Sequence, residues 1–203
     1  MTNKFKKNKN GFTLIETLVG VSIFVLIVGA LALLSRNVWI NNSFISAGLT
    51  NANAGRQILK TMVSEIRTAS TADTGTYTIN QAGSSSFTFY SDIDSDGLKE
   101  KVRYFLAGTT LQKGVIKPTG SPLIYNSINE KISTFVNNVI STSIFDYYDE
   151  NYDGTTAPLS FPVNVSDIRL VKITVMVEQD PNRSPTPMVF STQVSIRNLK
   201  DNL

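Results

Sequence analysis

Over residues 12–34 the chain is almost unbroken in apolar and small side chains, and the one charge in that run is Glu16. At about 1.5 Å of rise per residue the run predicts roughly 34 Å of helix, enough to cross the hydrocarbon core of a bilayer with some tilt. The density of apolar residues then thins to a stripe. Val38, Ile45, Leu49, Ala52, Leu59, Met62 and Ile66 follow one another at spacings of three, four or seven, the pattern of an amphipathic helix. The two patterns predict one helix over about residues 12–68, its first half in an apolar surrounding and its second half packed on a globular head.

After this helix the period changes. Residues 69–86 are rich in Thr, Ser and Gly and read as a connector with one short strand near residues 77–80. Alternation typical of strands follows at residues 87–90, 101–106 and 110–116, which predicts a meander of two hairpins. Residues 144–148 read as a further strand, and residues 168–177 and 188–196 as a last hairpin. The connection between those two, residues 179–187, carries too many prolines to continue a ladder. A long helix followed by an antiparallel sheet places the chain in the α+β class.

Composition narrows the chemistry. With 203 residues, 41% of them hydrophobic and 17% charged, the chain can bury a core. It has no His and no Cys, so the usual general base, the usual zinc ligands, thiolate sites and disulfides are all missing, and an enzyme is not expected. The formal net charge of +3 comes from Lys4, Lys6, Lys7 and Lys9 at the very start, and the remainder is close to neutral. Beyond those lysines the basic residues are scattered, so nucleic acid is not an expected partner. The leading lysines ahead of the apolar run, against a lone Arg36 after it, bias the amino end to the cytoplasm and the head to the outside. A secretory signal peptide cut near Ala30 and Ala32 and a plain signal anchor are the ordinary alternatives.

Neither alternative accounts for Glu16. A carboxylate in lipid costs roughly 2.5–3.5 kcal/mol at mid-membrane and less near the interface, so it calls for a partner. The apolar run holds no Lys or Arg. A cut between Gly11 and Phe12 would create an α-amino group on Phe12, one helical turn from Glu16, and the paired charges could enter a dry bundle of helices.

The stretch Lys9-Asn-Gly-Phe-Thr-Leu-Ile-Glu-Thr-Leu-Val19 strongly resembles the processing and assembly signal of type IV prepilins and of type II secretion pseudopilins. The resemblance implies a pilin-like α+β fold and cleavage by a prepilin peptidase after Gly11. It further implies methylation of the new amino terminus on Phe12 and docking of the subunit into a filament through Glu16. The implied partners are other pilin or pseudopilin subunits, the peptidase and methylase, and an inner-membrane assembly platform. The implied location is the inner membrane, crossed once with the head outside, and then the filament. Many major pilins have a helix-bending proline where this chain runs from Gly29 to Leu34 without one, and residues 196–199 resemble the last strand of J-type minor pseudopilins. A minor subunit is therefore expected. The expected divisions are a leader at 1–11, a transmembrane or filament-core helix at 12–36, its amphipathic continuation at 37–68, and the head at 69–203.

Two acidic turns suggest a metal. Asp92, Asp94 and Asp96 occupy positions 1, 3 and 5 of a calcium-loop pattern, with Gly97 at 6, Leu98 at 7 and Glu100 at 9, but Arg103 stands at 12 where a bidentate Glu belongs. Asp149, Asn151 and Asp153 repeat the spacing before Gly154, with Ser160 at position 12. Asp, Asn and Gly also favour ordinary hairpin turns. No other cofactor is called for, and calcium is the candidate for these turns. The alternative reading of the whole chain is a membrane-anchored or secreted calcium-dependent binding or adhesion module with an ordinary export signal.

Overall fold

The computed structural model describes residues 11–178 and 187–199, with the backbone alone for residues 37–54. The lysines of the expected leader and most of the proline-rich connection lie outside the described residues, as do the side chains of the amphipathic stripe from Val38 to Ala52. One helix, α1 (Leu14–Arg67), is followed by eight strands. The chain divides into two compact units, residues 1–49 and 50–203.

In the first unit, the stretch Leu14–Arg36 is long and apolar enough to span a membrane, and none of it is buried within the chain. Leu14, Phe24, Leu26, Leu33 and their neighbours are all exposed. Such a continuous uncovered apolar surface is far beyond what a soluble monomer presents to water.

The second unit is an α+β head. Strands β1 (Ile79–Ala82), β2 (Ser86–Ser91), β3 (Glu100–Ala107), β4 (Thr110–Ile116) and β5 (Lys131–Val136) form an antiparallel sheet in sequence order. Strands β6 (Phe145–Tyr148), β7 (Leu170–Val177) and β8 (Met188–Ser195) form a second sheet of three. The expected meander and final hairpin are both present, but the strands make two sheets where the alternation alone suggested one, and β5 was not anticipated. The separation occurs after β5. Asn138 adopts a left-handed conformation, φ 58°, which breaks the extended run. Val139 then bridges to Val177 of the second sheet.

Leu59, Met62 and Ile66 of the helix stripe are buried, in one core with Phe87, Phe89, Val102, Tyr104 and Leu111 of the first sheet and Phe145, Tyr147, Val171, Ile173 and Val194 of the second. Phe87 is the aromatic centre, with ring centroids 5.3 Å from Phe89, 5.8 Å from Phe145 and 5.6 Å from Tyr147. Backbone bonds tie the sheets together, since Ser84 O accepts from the amides of Ile144 at 2.7 Å and Phe145 at 3.0 Å. Just after β8, Asn198 Nδ2 donates to the carbonyl of Ala69, two residues beyond the end of the helix, at 2.8 Å.

Helix position 55 must be small. A Cβ on Gly55 would lie 2.7 Å from Cζ of Phe190 on β8. Gly55→Ala gains about 1 kcal/mol of helix propensity, but the displaced ring costs about 1–3 kcal/mol. We expect a lower Tm for Gly55→Ala and recovery in Gly55→Ala/Phe190→Leu, measured by thermal denaturation; equal melting of the single variant and the parent would contradict the contact.

Candidate functional site

Two regions carry chemistry, one in each unit. At the amino end, Gly11, Phe12 and Thr13 precede the first helical residue, and Phe12 is 85% exposed. Thr13 and Glu16 form a reciprocal helix cap. Glu16 Oε2 accepts from the Thr13 amide at 2.9 Å and from Thr13 Oγ1 at 3.0 Å, while the Glu16 amide donates to Thr13 Oγ1 at 3.3 Å. This is the T-x-x-E arrangement that satisfies orphan amides at a helix start. The sequence reading pairs Glu16 with an α-amino group on Phe12 and does not include the Thr13 cap, although the T-x-x-E spacing of Thr13 and Glu16 is visible in the sequence. Oε1 of Glu16 takes no hydrogen bond among the described residues, so half of the carboxylate stays available.

Among the described residues a Cβ on Gly11 would meet no atom within 4 Å, and Gly11 is not among those with positive φ. Gly20 and Gly29 are similarly uncrowded inside the helix, where each costs about 1 kcal/mol relative to Ala.

In the head, the first acidic turn joins β2 to β3. Its shape is set by Ser95 and Gly97, both at positive φ (62° and 91°), and by Asp92 Oδ2, which accepts from the Gly97 amide at 3.0 Å. Asp96 Oδ1 accepts from the Leu98 amide at 2.9 Å. Glu100, the first residue of β3, is fully buried, and its Oε2 accepts from the Ile93 amide at 3.0 Å. Burial, opposed by that amide and reinforced by the nearby Asp94 charge, raises the Glu100 pKa above the ordinary carboxylate value. Carboxylate oxygens of Asp92, Asp94 and Glu100 lie within 4.8 Å of one another.

A cation from the protein itself reaches this cluster. Lys117, just after β4, places Nζ against Asp94, 2.9 Å from Asp96 Oδ2 and 3.9 Å from Glu100 Oε1. Its hydrogen bonds to Asp94 and then Asp96 push the ammonium pKa up, and the same bond from Lys117 holds Asp96 down. Lys99 does not join them; it pairs with Asp73 at 3.1 Å. Lys117 was not singled out in the sequence, because the β3–β4 pairing that brings it beside a loop so far upstream is a tertiary fact.

The second acidic turn is organised differently. Asp149 Oδ1 accepts from the Asn151 amide at 3.0 Å and Oδ2 from Asn151 Nδ2 at 3.1 Å. Asp153 Oδ1 alone accepts from the amides and hydroxyls of Thr155 and Thr156, at 2.7 to 2.9 Å. The Thr155 amide is the largest influence holding the Asp153 carboxyl well below its usual range. These side chains brace their own loop, and they are not part of the carboxylate cluster found among the described residues.

Comparison with known families adds one match. Residues 6–32 fit the family model described as the prokaryotic N-terminal methylation motif, which covers the end of the leader and most of the apolar helix. That match supports a type IV pilin-like prepilin, processed by a peptidase and assembled with other pilin subunits, and together with the apolar helix it agrees with anchoring in the inner membrane. Comparison with curated proteins gave no match.

Proposed function

We propose that this chain is a prepilin cut between Gly11 and Phe12, methylated on Phe12, and built as a minor subunit into a type IV pilus or a type II secretion-like pseudopilus. The supporting observation is the combination at the amino end. A non-helical, exposed Gly11–Phe12–Thr13 segment leads into a helix whose apolar surface is uncovered among the described residues and whose one carboxylate in that stretch sits at the capped start. In the membrane that surface faces lipid; in a filament it faces copies of itself, and Glu16 meets a neighbour's amino terminus. The work is mechanical, and no residue of the head is assigned a reaction.

The export-signal alternative, with a cut after Ala32, fits less well. Ala30 and Ala32 lie inside α1, where the scissile backbone would have to unwind from its own hydrogen bonds. Intact mass of the protein from its native host decides the matter. The expected species is residues 12–203 plus one methyl group, and Gly11→Val is expected to keep the leader. A start after Ala32, or a wild-type protein that retains its leader, overturns the proposal.

A further inference from the structure

We propose that Asp92, Asp94 and Glu100 form a calcium site in which the Lys117 ammonium is a tethered stand-in for the ion. An acidic turn alone would not carry this. Two buried oxygens do: Glu100 Oε1 and Asp92 Oδ1 are sealed from solvent and accept no hydrogen bond. The Glu100 side chain is 0% exposed, its Oε1 is 3.9 Å from Lys117 Nζ and so beyond hydrogen-bond reach, and carboxylate oxygens of Asp92, Asp94 and Glu100 converge within 4.8 Å. A buried carboxylate oxygen without a donor is costly, and a hard cation coordinated there removes the cost.

The missing ligand at loop position 12 is explained by the fold. In a calcium loop flanked by helices the closing Glu is at 12; here the loop is flanked by strands, and β3 begins at Glu100. Pairing of Ser91 with Glu100 closes the loop after fewer residues, so position 9 supplies the buried carboxylate and Arg103 points elsewhere, to Glu130 in a two-bond pair at 2.9 and 2.8 Å. Asp96 is exposed, and its Oδ2 is held by Lys117, so it is released if the ammonium leaves. Four carboxylates against one ammonium leave the turn strongly negative, and the Lys117 side chain, 52% exposed, is free to swing into water when a divalent ion enters. Carboxylates on a glycine-containing turn suit the adaptable geometry of calcium better than the strict octahedron of magnesium. The site stands whether or not the chain enters a filament.

The test uses the full chain in detergent, titrated with calcium chloride in a calorimeter and melted with and without it. One ion is expected to bind, with Kd of about 10⁻⁴–10⁻³ M, and at about ten times Kd to raise Tm by about 3–6 °C. Glu100→Gln and the exposed, fold-neutral Asp94→Asn should each weaken binding at least about tenfold, the scale of losing one charged ligand. Lys117→Met should tighten binding several-fold, melt lower without calcium, and gain more from it, because the tethered competitor is gone. Absence of saturable binding in both the parent and Lys117→Met overturns the proposal. So does undiminished binding in Asp94→Asn, loss of binding in Asp153→Asn with Asp94→Asn unaffected, or an equal Tm rise from magnesium chloride.

Discussion

Lys113→Met is expected to lower the stability of the head by about 3 kcal/mol, the lower end of what removing one partner of a buried ion pair costs. Lys113 Nζ and Glu65 Oε1 are 2.6 Å apart, and their side chains are only 11% and 14% exposed. Glu65 Oε2 also accepts from Tyr104 OH at 2.6 Å, so one helical carboxylate engages both β3 and β4. Burial, and then the Glu65 charge, drives the Tyr104 phenol pKa up, so this hydroxyl keeps its proton and remains a donor. Without Lys113 the Glu65 carboxylate stays largely buried with only the Tyr104 phenol to stabilise it. In a thermal melt of the full chain the loss should read as a Tm drop of about 6–12 °C. Glu65→Met/Lys113→Met should recover part of it, and adding Tyr104→Phe should recover more by removing the hydroxyl left without an acceptor. A Tm change under about 2 °C for Lys113→Met would mean that water solvates the pair.

Glu16→Ala is expected to abolish filament incorporation while leaving the leader's removal largely intact. The cap with Thr13 makes a simpler explanation available, in which Glu16 only holds the helix start. Thr13→Val separates the two. It removes the hydroxyl half of the cap, a loss of about 0.5–2 kcal/mol of local helix stability, and leaves the carboxylate in place. If Glu16 acts between subunits, Thr13→Val assembles at near-parental levels and both Glu16→Ala and Glu16→Gln fail, since the neutral amide keeps the shape but not the charge for an α-amino group. Equal assembly defects in Thr13→Val and Glu16→Ala would reduce Glu16 to a capping residue. The readout is the fraction of subunit recovered in sheared filaments against that left in the membrane.

The acidic turns show how far residue spacing carries. Both satisfy the D-x-[DN]-x-D-G pattern, yet Asp153 is committed to Thr155 and Thr156, whereas Asp92 and Glu100 keep a buried oxygen each without a donor. The spacing is the same; the difference lies in what the flanking strands bring up against it. Strand β5 shows a second limit. Its first four residues are exposed, so its sequence has little of the apolar alternation that marks a strand, and pairing with β4 defines it. Strand β2 is found where residues 87–90 predict it, but its alternation does not report burial: five of its six residues are buried, Thr88 and Ser91 among them.

The sequence by itself determined the long helix, its uncovered apolar half, the position of Glu16 at its start, and the α+β class. Those features rest on local periodicity and transfer from water, which act on neighbours along the chain. Tertiary structure alone decided that the strands form two sheets, that Glu65 reaches Tyr104 and Lys113, and that Lys117 lies among the carboxylates of the first turn and not the second. Each of these joins residues far apart in the chain, and such contacts depend on register and packing of whole elements, which no local pattern encodes.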